Sequence, residues 1–207
     1  MNSKVSVIIV SYNVKEYLDH AIDSLIRTSE DNLEIIVVDN NSFDGSVEHI
    51  KNLYPDVYVI ANEDNVGFGK AVNQAAKAAL GDYYLILNPD TVVQENTIST
   101  FVNYLEKNNN VGMVGPKILN SDGTLQAACK RSFPTLRVAI PKLLGFDKLF
   151  PKSEWAGKYN LTYLDPDHTC TVDAISGSCM FIRKELFYEL GGFDEILLQH
   201  KILFYFT

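Results

Sequence analysis

Tyr83-Tyr84-Leu85-Ile86-Leu87-Asn88-Pro89-Asp90-Thr91 is a short apolar run that ends abruptly in polar side chains around a proline. In an open α/β sheet, ligands bind just outside the carboxyl ends of the strands. A strand over Tyr83–Leu87 would place Asp90 at that edge. A carboxylate there, among nucleotide-contacting loops, suits a divalent metal held against phosphate oxygens. Turn chemistry alone also accounts for Asn88-Pro89-Asp90-Thr91, since all four residue types favour turns. The rest of the chain decides between the two.

The same strand–helix alternation extends outward from this stretch. Val5–Val10 is nearly continuous in apolar residues, as expected of a strand covered on both faces. Val14, Tyr17, Leu18, Ala21, Ile22, Leu25 and Ile26 follow at helical spacing, with Asn13 and Glu16 placed as a capping box. Glu34–Val38 and Val57–Ala61 read as strands, and Gly45–Leu53 as a short helix. Phe68, Ala71, Val72, Ala75, Ala76 and Ala79 mark a helix stopped by Gly81, and Ile98, Phe101, Val102 and Leu105 mark another. Four such units with short connections predict an α/β fold, a Rossmann-like three-layer α/β/α arrangement with a mainly parallel sheet. After Asn108 the pattern changes. Val111–Ile118 and Thr124–Ala128 are expected to be strands joined around Asn120-Ser121-Asp122-Gly123. Lys130–Asp167 reads as irregular, with Pro141 breaking any helix. Val172–Arg183 reads as a strand and Lys184–Leu190 as a helix closed by Gly191-Gly192. The expectation is one domain over 1–207, with a ligand-binding half at 1–107 and an acceptor-side half at 108–207.

Composition narrows the function. The chain has 207 residues and a formal net charge of -8, a poor footprint for nucleic acid. Its three cysteines, Cys129, Cys170 and Cys179, fit free thiols in a reducing compartment better than a disulfide framework. No signal-peptide pattern precedes Val5 and no run approaches a membrane span, so a cytoplasmic location is expected. Neither a Gly-x-Gly-x-x-Gly after the first strand nor a Walker-type phosphate loop is present.

Four strand ends are rich in Asn, Asp, Ser or Gly: Ser11-Tyr12-Asn13, Asp39 to Ser46, Asn62 to Gly69, and Asn88-Pro89-Asp90. In a parallel sheet they converge on one edge and form a polar cleft. Asp39 is placed either to bond a ribose or base edge or to cap the next helix. Gly67 and Gly69 either admit a phosphate to backbone amides or make a tight helix entry.

Five runs in order, Val5–Asn13 (VSVIIVSYN), Ile35–Ser46 (IIVVDNNSFDGS), Asn65–Asn73 (NVGFGKAVN), Leu87–Thr91 (LNPDT) and Ile175–Glu195 (ISGSCMFIRKELFYELGGFDE), resemble family-2 glycosyltransferases of the GT-A fold. The rhamnosyltransferase-type members that build bacterial surface polysaccharides are the most similar subgroup. The resemblance implies a nucleotide-diphosphate sugar donor, a glycan or lipid-linked acceptor, and Mg or Mn. It implies a nucleoside held by Ser11, Tyr12, Asn13 and Asp39, a metal held by Asp90, and Asn41, Asn65, Gly67, Asn73, Asn88 and Gly177 completing the donor site. Asn88 stands where the family's Asp-x-Asp motif has its first acid. The family's acidic pair, which carries the base for an inverting displacement, falls at Ile202 and Leu203. The chain is therefore expected to be a C-terminally truncated member, with Asp194 and Glu195 as weak substitutes and Asp173 and His200 as further groups to test. The rival expectation is a catalytically silent nucleotide-sugar binding module.

One segment stands apart. Between Lys130 and Lys152 there are six cations (Lys130, Arg131, Arg137, Lys142, Lys148, Lys152) and one acid (Asp147), interleaved with Leu136, Ile140, Leu143, Leu144, Leu149 and Phe150. That mixture suits peripheral contact with the inner face of a cell membrane; a solvated loop over the core is the alternative.

Overall fold

A computed structural model describes residues 3–28, 30, 32–127 and 129–195. The described residues divide into two compact units: those up to Val114 together with those from Gly177 to Glu195, and those within Gly115–Ser176. In chain order the first unit contributes β1 (Val5–Ser11), α1 (Lys15–Arg27), β2 (Leu33–Asp39), α2 (Ser46–Leu53), β3 (Tyr58–Ala61), α3 (Phe68–Ala78), β4 (Tyr83–Leu87), α4 (Thr97–Lys107) and β5 (Met113–Val114). The second unit holds β6 (Lys130–Arg131), α5 (Leu136–Leu143), α6 (Phe146–Leu149), α7 (Glu154–Gly157) and β7 (Ala174–Ile175). The chain then returns to the first unit with β8 (Cys179–Arg183) and α8 (Lys184–Glu189).

The six-stranded sheet runs β3-β2-β1-β4-β8-β5. β1 pairs in parallel with β2 and β4, and β2 with β3. β8 is antiparallel to both β4 and β5. The expected mixed, mainly parallel α/β architecture is therefore the observed one. Apolar periodicity explains it. All of β4 is buried, as is β1 except Val10. Leu18, Ala21, Ile22 and Leu25 form the buried stripe of α1, and Ala71, Val72, Ala75 and Ala76 that of α3, at the spacing a helix needs to bury one face. Aromatic rings add shape to this core: Phe181 of β8 stacks on Tyr83 at 5.2 Å and tilts against Phe101 at 5.3 Å.

Close approach fixes the entry to β4. A Cβ on Gly81 would lie 2.6 Å from the backbone nitrogen of Ser6 and 2.5 Å from its Oγ, so only glycine fits there. Glu34 closes the same corner, accepting from Ser6 Oγ, from Leu80 N at 2.6 Å and from Gly81 N at 3.1 Å, and pairing with Lys4 Nζ at 3.0 Å. At the same end of β4, opposite Tyr83, Arg183 donates to the carbonyls of Leu105 at 2.5 Å and Val111 at 3.0 Å. It thus satisfies a carbonyl in the last turn of α4, where a cation is also favoured by the helix dipole.

Several local expectations are corrected. The capping box at α1 does not form. Asn13 adopts φ 54°, and its N-cap neighbour Val14 makes no side-chain cap. Asp44 takes the first helical N–H instead, from Lys15 at 2.9 Å. The strand expected over Val111–Ile118 shrinks to Met113–Val114, and Thr124–Ala128 contributes only a bridge, Leu119 to Leu125. The turn between them does form, with Asn120 N donating to Thr124 O at 2.8 Å and Asp122 Oδ1 taking Thr124 N at 2.9 Å. The strand expected over Val172–Arg183 divides at Ser176–Ser178, so β7 and β8 belong to different units. Lys130–Asp167 is not wholly irregular: three short helices occupy it, and Pro141 sits inside α5 rather than breaking it.

Candidate functional site

β1 has β2 on one side and β4 on the other, so the chain order reverses between β1 and β4. In such sheets the carboxyl edge at a reversal of this kind is the usual ligand position. Ser11 and Asp39 end their strands as register partners, Ser11 on β1 and Asp39 on β2.

Asp39 is 2% exposed. One carboxylate oxygen, Oδ2, accepts from Ser42 N at 2.8 Å. The other, Oδ1, is buried and without a partner, as is Ser11 Oγ. Asp39 does not cap α2, whose N-cap is Gly45; Asp44 instead takes Ser46 N at 3.0 Å. A buried polar atom left unpaired costs about 1–3 kcal/mol. Two such atoms at the ligand edge are accounted for if a bound molecule supplies donors.

The loops after β1 and β2 are laced together. Asn13 N donates to Ser42 Oγ at 2.8 Å, and Phe43 N donates to Asn13 Oδ1 at 2.9 Å. Asn13 and Asn41 both hold positive φ, 54° and 65°, a conformation asparagine tolerates better than most residues. Burial alone would raise the Asp44 carboxyl, but hydrogen bonds from Ser46 Oγ, Lys15 N and Ser46 N outweigh it and hold the group below its ordinary value. Tyr12, half-exposed, stands on the same loop.

The loop after β3 is tied in by Asn40 and Asn62, which the sequence placed in polar strand ends but not in the donor site, and by Gln74, which it did not single out. Asn62 Nδ2 donates to Asn40 Oδ1 at 3.0 Å, and Asn62 and Gln74 exchange hydrogen bonds of 2.8 and 3.1 Å. Asn40 is buried. Its position directly after β2 was the only signal for it. Asn65 Oδ1 accepts from Gly67 N at 3.0 Å, and Gly67, with φ 83°, is the N-cap of α3. Gly69 has a packing role: a Cβ there would lie 2.9 Å from Asp194 O. Asn73 clamps the same segment, donating to Phe193 O at 2.8 Å and to Glu195 Oε1 at 3.0 Å while accepting from Phe193 N at 2.9 Å. Its amide is therefore committed to the Phe193–Glu195 segment.

Asn88-Pro89-Asp90-Thr91 is a turn, closed by Thr91 N donating to Asn88 O at 3.2 Å. It is also a point of convergence. β8 runs back along β4 with Cys179 opposite Leu87, so Asn88 N reaches Ser178 O at 2.9 Å and Gly177 lies on the adjoining segment. Asp90 is exposed, with Thr91 Oγ1 3.5 Å from its Oδ1. No group of three or more His, Cys, Asp or Glu that could hold a metal occurs among the described residues. The donor set thus offers one hard carboxylate, which fits a Mg or Mn that brings phosphate oxygens and water as its other ligands. It does not fit a metal caged wholly by protein.

Asp194 and Glu195 are both exposed at the clamped segment. Asp173 belongs to the second unit, where Phe133 N at 2.9 Å and Ser132 Oγ at 2.7 Å hold its carboxyl below its ordinary value. Burial pushes the Cys179 thiol up to about 12, which leaves it unreactive. His200, Ile202 and Leu203 lie outside the described residues.

Residues 6–191 match the family model described as Glycosyl transferase family 2. Over 206 residues the chain is 26% identical to the N-acetylglucosaminyl-diphospho-decaprenol L-rhamnosyltransferase of Mycobacterium tuberculosis, covering 94% of this chain and 66% of that protein. Over 128 residues it is 33% identical to the minor teichoic acid biosynthesis protein GgaB of Bacillus subtilis, covering 59% of this chain and 14% of that one. The chain thus spans no more than about two thirds of either relative. Among solved structures, the mannosyltransferase PcManGT from Pyrobaculum calidifontis, in complex with GDP-Man and Mn2+, aligns with a TM-score of 0.64 at 21% identity, over 93% of this chain and 48% of that one. S. aureus TarS 1-349 in complex with UDP aligns with a TM-score of 0.63 at 20% identity, over 94% and 51%. These likenesses identify the fold as that of GT-A glycosyltransferases.

Proposed function

The chain belongs to Glycosyl transferase family 2, and on that premise we propose that the carboxyl-edge cleft of its first unit binds a nucleotide-diphosphate sugar for inverting transfer to a glycan or lipid-linked acceptor in cell-surface polysaccharide synthesis. The observation that carries this reading is the pair of buried, unpartnered oxygens, Ser11 Oγ and Asp39 Oδ1, side by side at the edge of β1 and β2. A nucleoside brings the donors they lack: ribose hydroxyls or a base N–H. GDP-Man, UDP and Mn2+ in structural neighbours, and the N-acetylglucosaminyl-diphospho-decaprenol in the name of the mycobacterial relative, support the same chemistry.

In this reading the laced loops keep Ser11, Tyr12, Asn13 and Asp39 in place before the donor arrives, so little ordering remains to be done on binding. Asp90 holds the Mg or Mn, which when bound offsets charge on the departing diphosphate. The acceptor oxygen attacks the anomeric carbon from the face opposite the diphosphate. The bond to the diphosphate breaks, the leaving group keeps the electron pair, and a carboxylate takes the hydroxyl proton. Asp194 and Glu195 are the described acids proposed for that role, with Asn73 orienting Glu195. A peripheral location at the cytoplasmic face of the membrane suits a lipid-linked acceptor; no helix among the described residues is long and apolar enough to cross a membrane.

The second reading, a nucleotide-sugar binding module without transfer activity, is favoured by Ile202 and Leu203 standing where the family has its acids. Both readings require the donor site. Titration of UDP, dTDP and GDP in the presence of Mn tests it: at least one should bind, and Asp39→Ala should weaken that binding about tenfold or more, the loss of a charge-assisted hydrogen bond. Equal affinity in wild type and Asp39→Ala would remove the support for this reading.

A further inference from the structure

The second unit carries an apolar stripe that faces outward. On α5, Leu136, Ile140, Leu143 and Leu144 recur at the i, i+4, i+7, i+8 spacing of a single helix face. That spacing ordinarily marks the buried face, yet Leu136 is 80% and Leu143 86% exposed, and Ile140 and Leu144 are also exposed. Val138 and Pro141 are the residues that α5 buries. Leu149 and Phe150, at the end of α6, are exposed as well.

The charge around the stripe is mainly positive: Arg137, Lys142, Lys148 and Lys152 outnumber the two acids of α6 and α7, Asp147 and Glu154. Arg137, Lys148 and Lys152 form no ion pair among the described residues. Lys142 is otherwise engaged, 3.7 Å from the centre of the Tyr159 ring. Beside the start of α5 lies an open pocket of about 410 Å³, with Arg137, Lys158 and the exposed indole of Trp155 in its wall. Its single carboxylate, Asp173, accepts from Phe133 N and Ser132 Oγ through Oδ2 and stays an anion, so the wall carries two cations to one acid. An outward apolar stripe flanked by free cations, with an aromatic ring at its border, is the pattern of a helix lying in a bilayer interface. Cations concentrated beside exposed apolar side chains, in a chain of net charge -8, are complementary to an anionic lipid surface.

We propose that α5–α7 form a membrane-docking face: the α5 stripe with Leu149 and Phe150 enters the headgroup–acyl boundary of an anionic phospholipid bilayer, and Arg137 and Lys158 receive a lipid phosphate in the pocket beside Trp155. This rests on the peripheral location in the proposed function and names the surface and the lipid chemistry behind it.

The test uses the 207-residue chain and sedimentation with vesicles of phosphatidylglycerol or of phosphatidylcholine. The wild type binds phosphatidylglycerol vesicles, less so as salt is raised, because exposed charges are screened over about 10 Å at 0.1 M salt. Leu136→Asp with Leu143→Asp should cut binding about tenfold or more, since a charge is placed in the interface at each site. These two positions are so exposed that folding and nucleotide binding are expected to persist, which circular dichroism and calorimetry check. Arg137→Gln with Lys158→Gln should weaken binding to phosphatidylglycerol and leave the weak partition onto phosphatidylcholine unchanged. The proposal is overturned if the Leu136→Asp, Leu143→Asp variant binds as the wild type does, or if both lipids bind the wild type equally. It is also overturned if those substitutions abolish self-association in ultracentrifugation without changing vesicle binding, which would make a second copy the occupant. Loss of vesicle binding with nucleotide binding intact refutes this inference alone. Absent nucleotide binding with vesicle binding intact refutes the donor site alone.

Discussion

The two units of this chain treat the same side chain in opposite ways. In the first, Leu18, Leu25, Leu85, Leu87 and Leu105 are wholly buried around one sheet. In the second, Leu136, Leu143, Leu144 and Leu149 point outward from helices of four to eight residues. Polar residues invert in the same sense. The first unit buries Ser11, Asp39 and Asn40 at the edge of its sheet, while the second leaves most of its cations exposed. On the two proposals made above, the contrast separates two kinds of recognition. A rigid core lets a few buried polar atoms discriminate a small ligand. A surface of exposed apolar and basic side chains gains from contact with an extended, fluid partner.

Stability measurements can break this comparison. Phe181→Ala removes a ring with no exposure that packs on Tyr83 and Phe101; a loss of about 3–5 kcal/mol in urea unfolding is expected. A loss under 1 kcal/mol would mean that the sheet core is not the source of the first unit's rigidity.

A smaller, pH-dependent effect is expected at Glu34. Burial alone would raise its carboxyl, but hydrogen bonds from Ser6 Oγ and Leu80 N and the Lys4 ammonium outweigh it and hold the group below its ordinary value of 4.5. A folded-state value below the unfolded one adds stability above about pH 4.5, and that stability is lost as pH falls through the folded value. Glu34→Gln should therefore cost about 1–2 kcal/mol at pH 7, with the two stability curves converging below pH 4.5. Parallel curves down to acid pH would show that the Glu34 charge has no part in closing the Gly81 corner.

The smallest effect belongs to the second unit. Leu143→Ala should change stability by no more than about 0.5 kcal/mol, as for surface positions in general. A loss above 2 kcal/mol would mean that the outward stripe of α5 is covered in the folded protein, and the contrast between the units would fail.

How much of this was legible in the sequence follows the same division. The strands β1 to β4 and the helices between them could be read because continuous apolar runs and 3.6-residue periodicity each extend over several turns or pleats. The four polar strand ends were legible for the same reason: once the strands were placed, their ends had to share an edge. The lacing of those ends was not. Asn13 looked like a helix cap, and only its φ of 54° and the bond to Phe43 N show it as a loop fastener. Asn40, Asn62 and Gln74 meet through contacts 12 or more residues apart in sequence, and no local pattern marks such a meeting. In the second unit the elements are too short for a period to emerge. There the outward stripe of α5 covers only about two turns around Pro141, which is expected to break any helix, so its spacing does not read as a helix face.

The central proposal is that Asp90, in the turn after β4, holds a divalent metal against the phosphates of a nucleotide donor. Calorimetric titration of the nucleoside diphosphate that binds best, with and without Mn, in wild type and Asp90→Ala, tests it directly. The account predicts that Mn raises wild-type affinity about tenfold or more, as expected for a charged metal–phosphate contact, and that Asp90→Ala binds equally with and without Mn at the wild-type metal-free level. A variant that keeps the full Mn enhancement would contradict it.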